Sequence, residues 1–336
     1  MANRLLDLLS VREYLLADGA TGTNLFAMGL VSGDAPELWN TDQPQRIRAL
    51  HESFIAAGSD LILTNSFGGN RYRLKLHNAQ GRVAELNRAA AQIARAVADR
   101  SARNIVVAGS IGPTGELFDP LGELTFAAGE AAFMEQAEAL AAGGADVLWI
   151  ETMSSEDEVR AAVAGAAVTG LPIICNVSFD TNGSTMMGIT PTQHANLCKD
   201  LIPAPDAFGT NCGVGPAEAV ACVLKMAQAA GTDSVLVAKA NCGIPEFIDG
   251  AIRYNGTPPL MAEYARLVRD AGARIIGGCC GTTAEHVWAM AEALNGYQPG
   301  LAPDVDTIEA RLGPISRGAK GCAVANSTRH RRRRAH

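Results

Sequence analysis

The 336-residue chain has nothing approaching the ~18 uninterrupted apolar residues of a membrane helix, which excludes a spanning segment. Its opening stretch, MANRLLDLLSVREYLLADG, carries a charge every few positions. It lacks an apolar core followed by a small-residue cleavage site, so a cytoplasmic chain is expected. Positive charge is scarce outside the far end. The formal net charge is −7, and five of the 28 Lys and Arg residues, Arg329 and Arg331 to Arg334, crowd the last eight positions. Setting those five aside leaves 23 basic groups against 35 acidic ones, a body of −12 that makes a poor nucleic-acid surface. Disorder is excluded as well, because 48% of the residues are hydrophobic. The 8 cysteines do not describe a disulfide scaffold, since such scaffolds are small and core-poor. In a reducing compartment, cysteines that do not pack are candidates for metal binding or catalysis.

What the chain does contain is a repeat of strand and helix signals. Short aliphatic runs occur at Leu15–Asp18, Leu61–Ser66, Ile105–Ser110, Val147–Glu151, Ile173–Ser178, Ala207–Asn211, Val235–Ala240 and Arg274–Gly278. Each stays apolar almost to its end, as parallel strands covered on both faces do. Helical periodicity fills the gaps near 44–57, 81–100, 126–142, 156–169, 191–201, 216–230, 258–272 and 283–295. In 81–100, Val83, Leu86, Ala90, Ile93 and Val97 recur three and four apart, giving one buried stripe. Pro44, Pro191, Pro216 and Pro258 sit at first turns, and Gly58, Gly143, Gly170, Gly231 and Gly272 sit just past last turns. Eight such units predict a (β/α)₈ barrel over residues 1–296, in preference to a doubly wound open sheet. Residues 297–336 lose the strand signals and read as an irregular extension with a solvated basic end.

Barrel chemistry gathers at the carboxyl ends of the strands. Those ends read DGATGT (18–23), TNSFGGN (64–70), GSIGPTGE (109–116), Glu151-Thr152-Met153, Asn176-Val177-Ser178, GTNCGVGP (209–216), KANCGIP (239–245) and GGCCGT (277–282). Cys212, Cys242, Cys279 and Cys280 lie on this rim, whereas Cys175, Cys198 and Cys222 fall in strand or helix patterns as packing residues and Cys322 in the tail. Neighbours on a regular strand face opposite ways, so Cys279 and Cys280 need a distorted backbone to share an ion. Gly277, Gly278 and Gly281 are expected to permit it. Cys212, Cys279 and Cys280 then make a three-thiolate zinc site with an open fourth position, the catalytic pattern. Cys242 as a fourth ligand would close the site and make it structural, a zinc-stapled binding scaffold. A vicinal disulfide or plain packing are the other readings of the cysteine pair.

An open zinc site with three thiolates is electron-rich and poor at activating water. It suits a thiol, whose proton otherwise leaves near pKa ~8.5 and whose sulfur stays nucleophilic once bound. The pattern therefore points to alkyl transfer onto a thiol. A competing reading uses Lys239, at the end of the seventh run, as a Schiff-base amine; a rim salt bridge is the plainer role for it.

DGATGT, TNSFGGNR, GSIGPTG, GTNCGVGP, KANCGIP and GGCCGT, in this order along a barrel, resemble the homocysteine S-methyltransferase family over roughly residues 4–296. The resemblance implies zinc on Cys212, Cys279 and Cys280. It also implies a homocysteine carboxylate on the backbone amides of Gly19, Ala20 and Thr21 beside Asp18, and the substrate ammonium at Glu151 with Ser110 nearby. The overall texture is similar to bacterial betaine–homocysteine methyltransferases, which implies methyl transfer from betaine to homocysteine, giving methionine and dimethylglycine. S-methylmethionine is the alternative donor.

Two positions depart from the animal betaine enzymes. Thr152 stands where they have a tyrosine, and Gly68 where they have an aromatic residue. A quaternary ammonium donor wants an aromatic cage. With aromatics at 5%, Trp39, Phe67 and Tyr72 are the residues available for one. The partners expected are small molecules, with no nucleic acid and no membrane, and with a homo-oligomer left open. A stand-alone barrel without folate or cobalamin modules is expected to take its methyl from an onium compound.

Overall fold

Each of the eight apolar runs becomes a strand in the computed structural model of the chain, which describes residues 4–248 and 251–324. The barrel strands are β1 (Leu15–Leu16), β2 (Leu61–Leu63), β3 (Val106–Ile111), β4 (Val147–Met153), β5 (Ile173–Val177), β6 (Ala207–Cys212), β7 (Leu236–Ala240) and β10 (Ala273–Gly278). A hairpin, β8 (Pro245–Ile248) and β9 (Ala251–Tyr254), follows β7. The eight barrel strands pair in parallel in the order β1-β10-β7-β6-β5-β4-β3-β2. An Ala17–Leu61 bridge then joins β1 to β2, which rules out the open sheet.

That seam is the thinnest part of the ladder, and two aspartates reinforce it. Below, Asp60 donates its backbone N–H to Leu16 O (2.6 Å) and accepts from Leu16 N through Oδ2 (3.0 Å). Above, Leu63 N donates to Asp18 Oδ2 (2.7 Å). Carboxylate oxygens thus replace carbonyls where the strands are too short to supply them.

Burial on both faces explains the unbroken apolar runs. Leu15, Leu63, Val106, Val147, Trp149, Ile174, Val237 and Ile275 fill the barrel interior, and Leu5 and Leu9 of the helix Arg4–Val11 join them. This helix closes the amino-terminal end, where Arg274 donates to Leu9 O (2.6 Å) and Arg12 O (2.9 Å). Outside, the helix Val83–Ala98 buries Val83, Leu86, Ala90, Ile93 and Val97, the expected stripe. All four prolines stand in first turns. Four of the five glycines adopt positive φ; at 143–144 it is Gly144 (φ 100°) that does so, while Gly143 stays helical at −83°.

The extension starts irregularly but then forms two helices, Val305–Leu312 and Arg317–Val324. Their Ile308 and Leu312, with Ile315 and Ala319, are buried in the outer core. They pack against the helices Pro216–Ala230 and Pro258–Asp270. Helices of eight residues give too few turns for a periodic signal to stand out from proline- and glycine-rich sequence. The arginine cluster lies outside the described residues.

Two predictions follow from this packing. Each fully buried aliphatic side chain contributes roughly 1.5–3 kcal/mol. Deleting residues 297–336 should therefore lower Tm by more than about 5 °C, measured by calorimetry; an unchanged Tm would make the extension a separate appendage. The second concerns His51, which is buried at 1% exposure with neither ring nitrogen hydrogen-bonded. Burial pushes its pKa down to about 4, and that of His194 likewise. Unfolded histidine takes up a proton near pH 6.5, so stability is complete above that pH and declines as pH falls toward 4. His51→Leu should lose less Tm between pH 7.5 and 5 than the parent protein does; an equal loss refutes the assignment.

Candidate metal centre

The sulfurs of Cys212, Cys279 and Cys280 lie within 4.8 Å of one another, at partly exposed positions on the carboxyl rim. Cys212 Sγ is 3.3 Å from Cys279 Sγ and 3.7 Å from Cys280 Sγ. Zinc–sulfur bonds of ~2.3 Å in a tetrahedron set sulfurs about 3.8 Å apart, close to the longer of these two separations. A disulfide needs ~2.05 Å, and the three cysteines are free.

The neighbouring ladders bring them together. β7 lies between β6 and β10, and Ala240 pairs with Cys212 on one side and Gly278 on the other. Ala240 O then accepts from Cys279 N (2.6 Å). β10 ends at Gly278, so both cysteines sit on the following turn, closed by Thr282 N donating to Cys279 O (3.0 Å). The glycines act differently from one another. Only Gly281 has positive φ (80°); a Cβ on Gly278 would come within 2.3 Å of Thr282, and one on Gly277 within 2.9 Å of Ala17. The other unusual backbone belongs to a ligand candidate itself, Cys212 at φ 59°.

Chemically the cluster favours one anion. Hydrogen bonds from the Cys212 and Cys279 thiols hold Cys280 down at about 3. For Cys279 the bond with Cys212 pulls the pKa down, but donation to Cys280 and burial leave it up at about 12. Cys212 is also raised, first by its bonds to the other two thiols. Full ionisation of all three calls for a cation.

Cys242 does not join them. It is 1% exposed, its sulfur packs toward Gly256, and burial pushes its thiol up to about 12. Among the described residues it belongs to no cluster of three potential ligands. One further cluster does exist, formed by Cys175, His194 and Cys198. All three are buried where the helix Pro191–Asp200, which carries His194 and Cys198, meets β5, which carries Cys175, with Cys198 Sγ 3.8 Å from the His194 ring and His194 Nε2 3.3 Å from Cys175 O. This is hydrogen-bonded packing.

Beside the sulfurs lies a carboxylate. Glu151, 7% exposed, accepts from Ser110 Oγ (2.5 Å) and Asn211 Nδ2 (3.4 Å). Burial pushes it up to about 7, opposed by Lys239. Asn211 also receives Thr152 N (2.8 Å) on Oδ1, donates to Thr152 Oγ1 (2.7 Å), and reaches Cys279 Sγ at 4.0 Å. These bonds hold Thr152 at φ 63°, in the bulge between Ile150 and Met153 near the end of β4. Asn241 does matching work, accepting from Cys280 N (3.1 Å) and donating to Gly213 O (2.7 Å). Neither asparagine was singled out from sequence, although each immediately precedes a cysteine in a repeated Asn-Cys-Gly.

Asp18 and Lys239 form a buried pair at 2.6 Å, 1% and 2% exposed. Burial alone would lower the lysine, but Asp18 and Glu151 more than reverse that and keep it protonated. Lys239 is therefore a salt-bridge partner and not a Schiff-base amine. In the DGATGT loop the Ala20 amide is already committed, donating to Thr282 O (3.1 Å). That corrects one of the three expected carboxylate donors: Gly19 and Thr21 keep amides without a partner among the described residues. Gly19 is also crowded, since a Cβ there would lie 2.6 Å from Thr282 O and 2.7 Å from Phe54.

The TNSFGGN segment is mainly scaffold. Ser66 Oγ donates to Ser110 O (2.7 Å), Gly68 N to Glu37 Oε1 (2.6 Å), and Asn70 Oδ1 caps the short helix Arg71–Lys75. The three aromatic candidates have different surroundings. Trp39 is faced by the Arg46 guanidinium at 4.8 Å, Phe67 lies against Gly112 at 38% exposure, and Tyr72 packs on the outer core.

Comparison with known proteins gives the family. The family described as homocysteine S-methyltransferase matches residues 15–294. The metallated form of the Escherichia coli homocysteine methyltransferase MmuM is 26% identical, covering 86% of this chain and 99% of that one at a TM-score of 0.70. Its oxidized form is likewise 26% identical at TM-score 0.70, covering 87% and 99%. Methionine synthase from Mycobacterium tuberculosis is 31% identical over 345 residues, which is 96% of this chain and 28% of that protein. The Mycobacterium leprae counterpart is 29% identical, over 89% and 26%. The chain thus spans about a quarter of the length of these two relatives. An eight-stranded barrel carrying three clustered cysteines, matched by the family from its first strand to its last helix, belongs to the homocysteine S-methyltransferase family.

Proposed function

We propose that the protein transfers a methyl group from betaine to the thiol of L-homocysteine, using one zinc ion held by Cys212, Cys279 and Cys280. The observation that carries this reading is the three-sulfur cluster at the barrel mouth beside a buried, hydrogen-bonded carboxylate. When bound, zinc would lower the pKa of the substrate thiol so that its sulfur is an anion at neutral pH.

The chain's own groups would orient the amino acid. Glu151, fixed by Ser110 and Asn211, offers both carboxylate oxygens to an ammonium group, whose positive charge favours the ionised acid against burial. The amides of Gly19 and Thr21 would take the substrate carboxylate, Thr21 standing at the N-cap of the helix Gly22–Ala27. The buried Lys239 ammonium adds positive charge beneath the same region. Sulfur attacks the methyl carbon in line, the carbon–nitrogen bond breaks, and its electron pair stays on nitrogen. Because the leaving amine departs neutral from an onium centre, no general acid is needed. The product agrees with the name methionine synthase borne by the mycobacterial relatives.

A second donor reading, S-methylmethionine, is favoured by one feature. Arg46 already occupies the Trp39 face, so a three-aromatic cage for trimethylammonium is not assembled.

Two measurements test the proposal. Purified reduced protein should hold one zinc; Cys279→Ser should lose both metal and methionine formation, whereas Cys242→Ser keeps both. Zinc loss in Cys242→Ser would mean a closed structural site. With homocysteine as acceptor, methionine and dimethylglycine should form from betaine. Turnover with S-methylmethionine alone would replace the donor and leave the acceptor reading intact.

A further inference from the structure

The loop after β1 is bonded at three points to the segment that carries Cys279 and Cys280. Gly278 N donates to Asp18 O (3.1 Å), and Ala20 N donates to Thr282 O (3.1 Å). Gly281 N donates to Thr23 Oγ1 (3.1 Å). Thr282 is itself tied back to the cysteines, its amide donating to Cys279 O (3.0 Å). Asn24 adds a fourth tie from its side chain. Its Nδ2 donates to Ala20 O (2.7 Å) and to Thr282 O (3.0 Å). A side-chain amide nitrogen has two protons, so both are used in joining these carbonyls.

Peptide planarity converts these bonds into an orientation for the amides that remain. In a trans peptide the carbonyl of one residue and the N–H of the next point opposite ways. The cis peptides among the described residues lie elsewhere, before Pro120 and Pro203. Asp18 O faces Gly278 N, so the Gly19 N–H points away from β10. Ala20 O faces Asn24, so the Thr21 N–H points away from that side chain. Gly19 and Thr21 are the two loop amides without a partner among the described residues. Each is therefore aimed by a hydrogen bond to the carbonyl that precedes it.

We propose that Asn24 is a positioning residue for the substrate carboxylate. By donating to both carbonyls, it holds the peptide between Ala20 and Thr21 with its N–H toward the bound amino acid. It also fixes this loop against the turn bearing Cys279 and Cys280. The inference rests on the homocysteine reading above, in which the Gly19 and Thr21 amides take the carboxylate. The sulfurs and Glu151 would meet the other two ends of the substrate, so removing Asn24 should weaken recognition of the carboxylate alone.

Two thiols separate this role from a general structural one. L-homocysteine is compared with 3-aminopropane-1-thiol, which keeps its thiol and amine and lacks its carboxylate. Affinities for the zinc-loaded protein are read by titration calorimetry. Asn24→Leu should bind L-homocysteine at least about 10-fold more weakly, the effect of one misaligned hydrogen bond to a charged group. It should bind 3-aminopropane-1-thiol as the parent does and keep its zinc. Asn24→Ala should behave alike, and a share of unfolded protein changes the stoichiometry and not the ratio of the two affinities. Parental affinity for L-homocysteine in both variants overturns the proposal, as does an equal loss for both thiols. A parent protein that binds neither thiol would instead refute the homocysteine reading, so the two failures are distinguishable.

Discussion

The centre depends on one strand pairing. Ala240 of β7 is hydrogen-bonded between Cys212 of β6 and Gly278 of β10, and it passes its carbonyl to the amide of Cys279. Sulfurs 67 and 68 residues apart in sequence are thereby brought to 3.3 and 3.7 Å. A slip of one residue in either ladder would turn Cys212 or the β10 end toward the opposite face of the sheet. The residues around this pairing are correspondingly constrained. Gly277 and Gly278 are small because Ala17 and Thr282 press on them, and Asn211 and Asn241 tie the backbone of each strand end to its neighbour.

A second constraint is electrostatic. Asp18 and Lys239 are both withdrawn from water, an arrangement that removal of either partner would destabilise by about 3–5 kcal/mol. The same aspartate completes the β1–β2 seam through Leu63 N, so barrel closure and the charge beneath the site share one side chain. Lys239 in turn lies 5.6 Å from the Trp149 ring centroid and favours the ionised form of Glu151. Acidic, basic and sulfur groups thus form one connected set, and its outer edge is the turn on which Tyr254 rests.

Much of this was legible in the residues. Eight aliphatic runs with glycine-rich polar ends pointed to the strands and their rim, and the Cys-Cys pair between glycines pointed to the two sulfurs that cluster with Cys212. Other features were not. The expectation that Gly277 and Gly278 supply unusual angles gives way to close packing at both, while the positive φ lies at Cys212 and Gly281. Ala20 looked like an anion donor until its amide was seen to bond Thr282, a residue more than 260 positions away. Tyr254 carried no local signal, because a single tyrosine in a short hairpin looks the same whether it faces solvent or packs on a neighbouring turn.

From sequence alone came the barrel, the order of its units, the cysteines that could share an ion and the family they resemble, since periodicity and motif spacing are properties of neighbouring residues. Only the folded chain decided that Cys242 stays apart from the other three rim cysteines, that Lys239 is locked to Asp18, that Trp39 is covered by Arg46 and that Tyr254 lies against Gly281. Those outcomes depend on which strand ends and loops become neighbours when the barrel closes, and no short-range pattern encodes that adjacency.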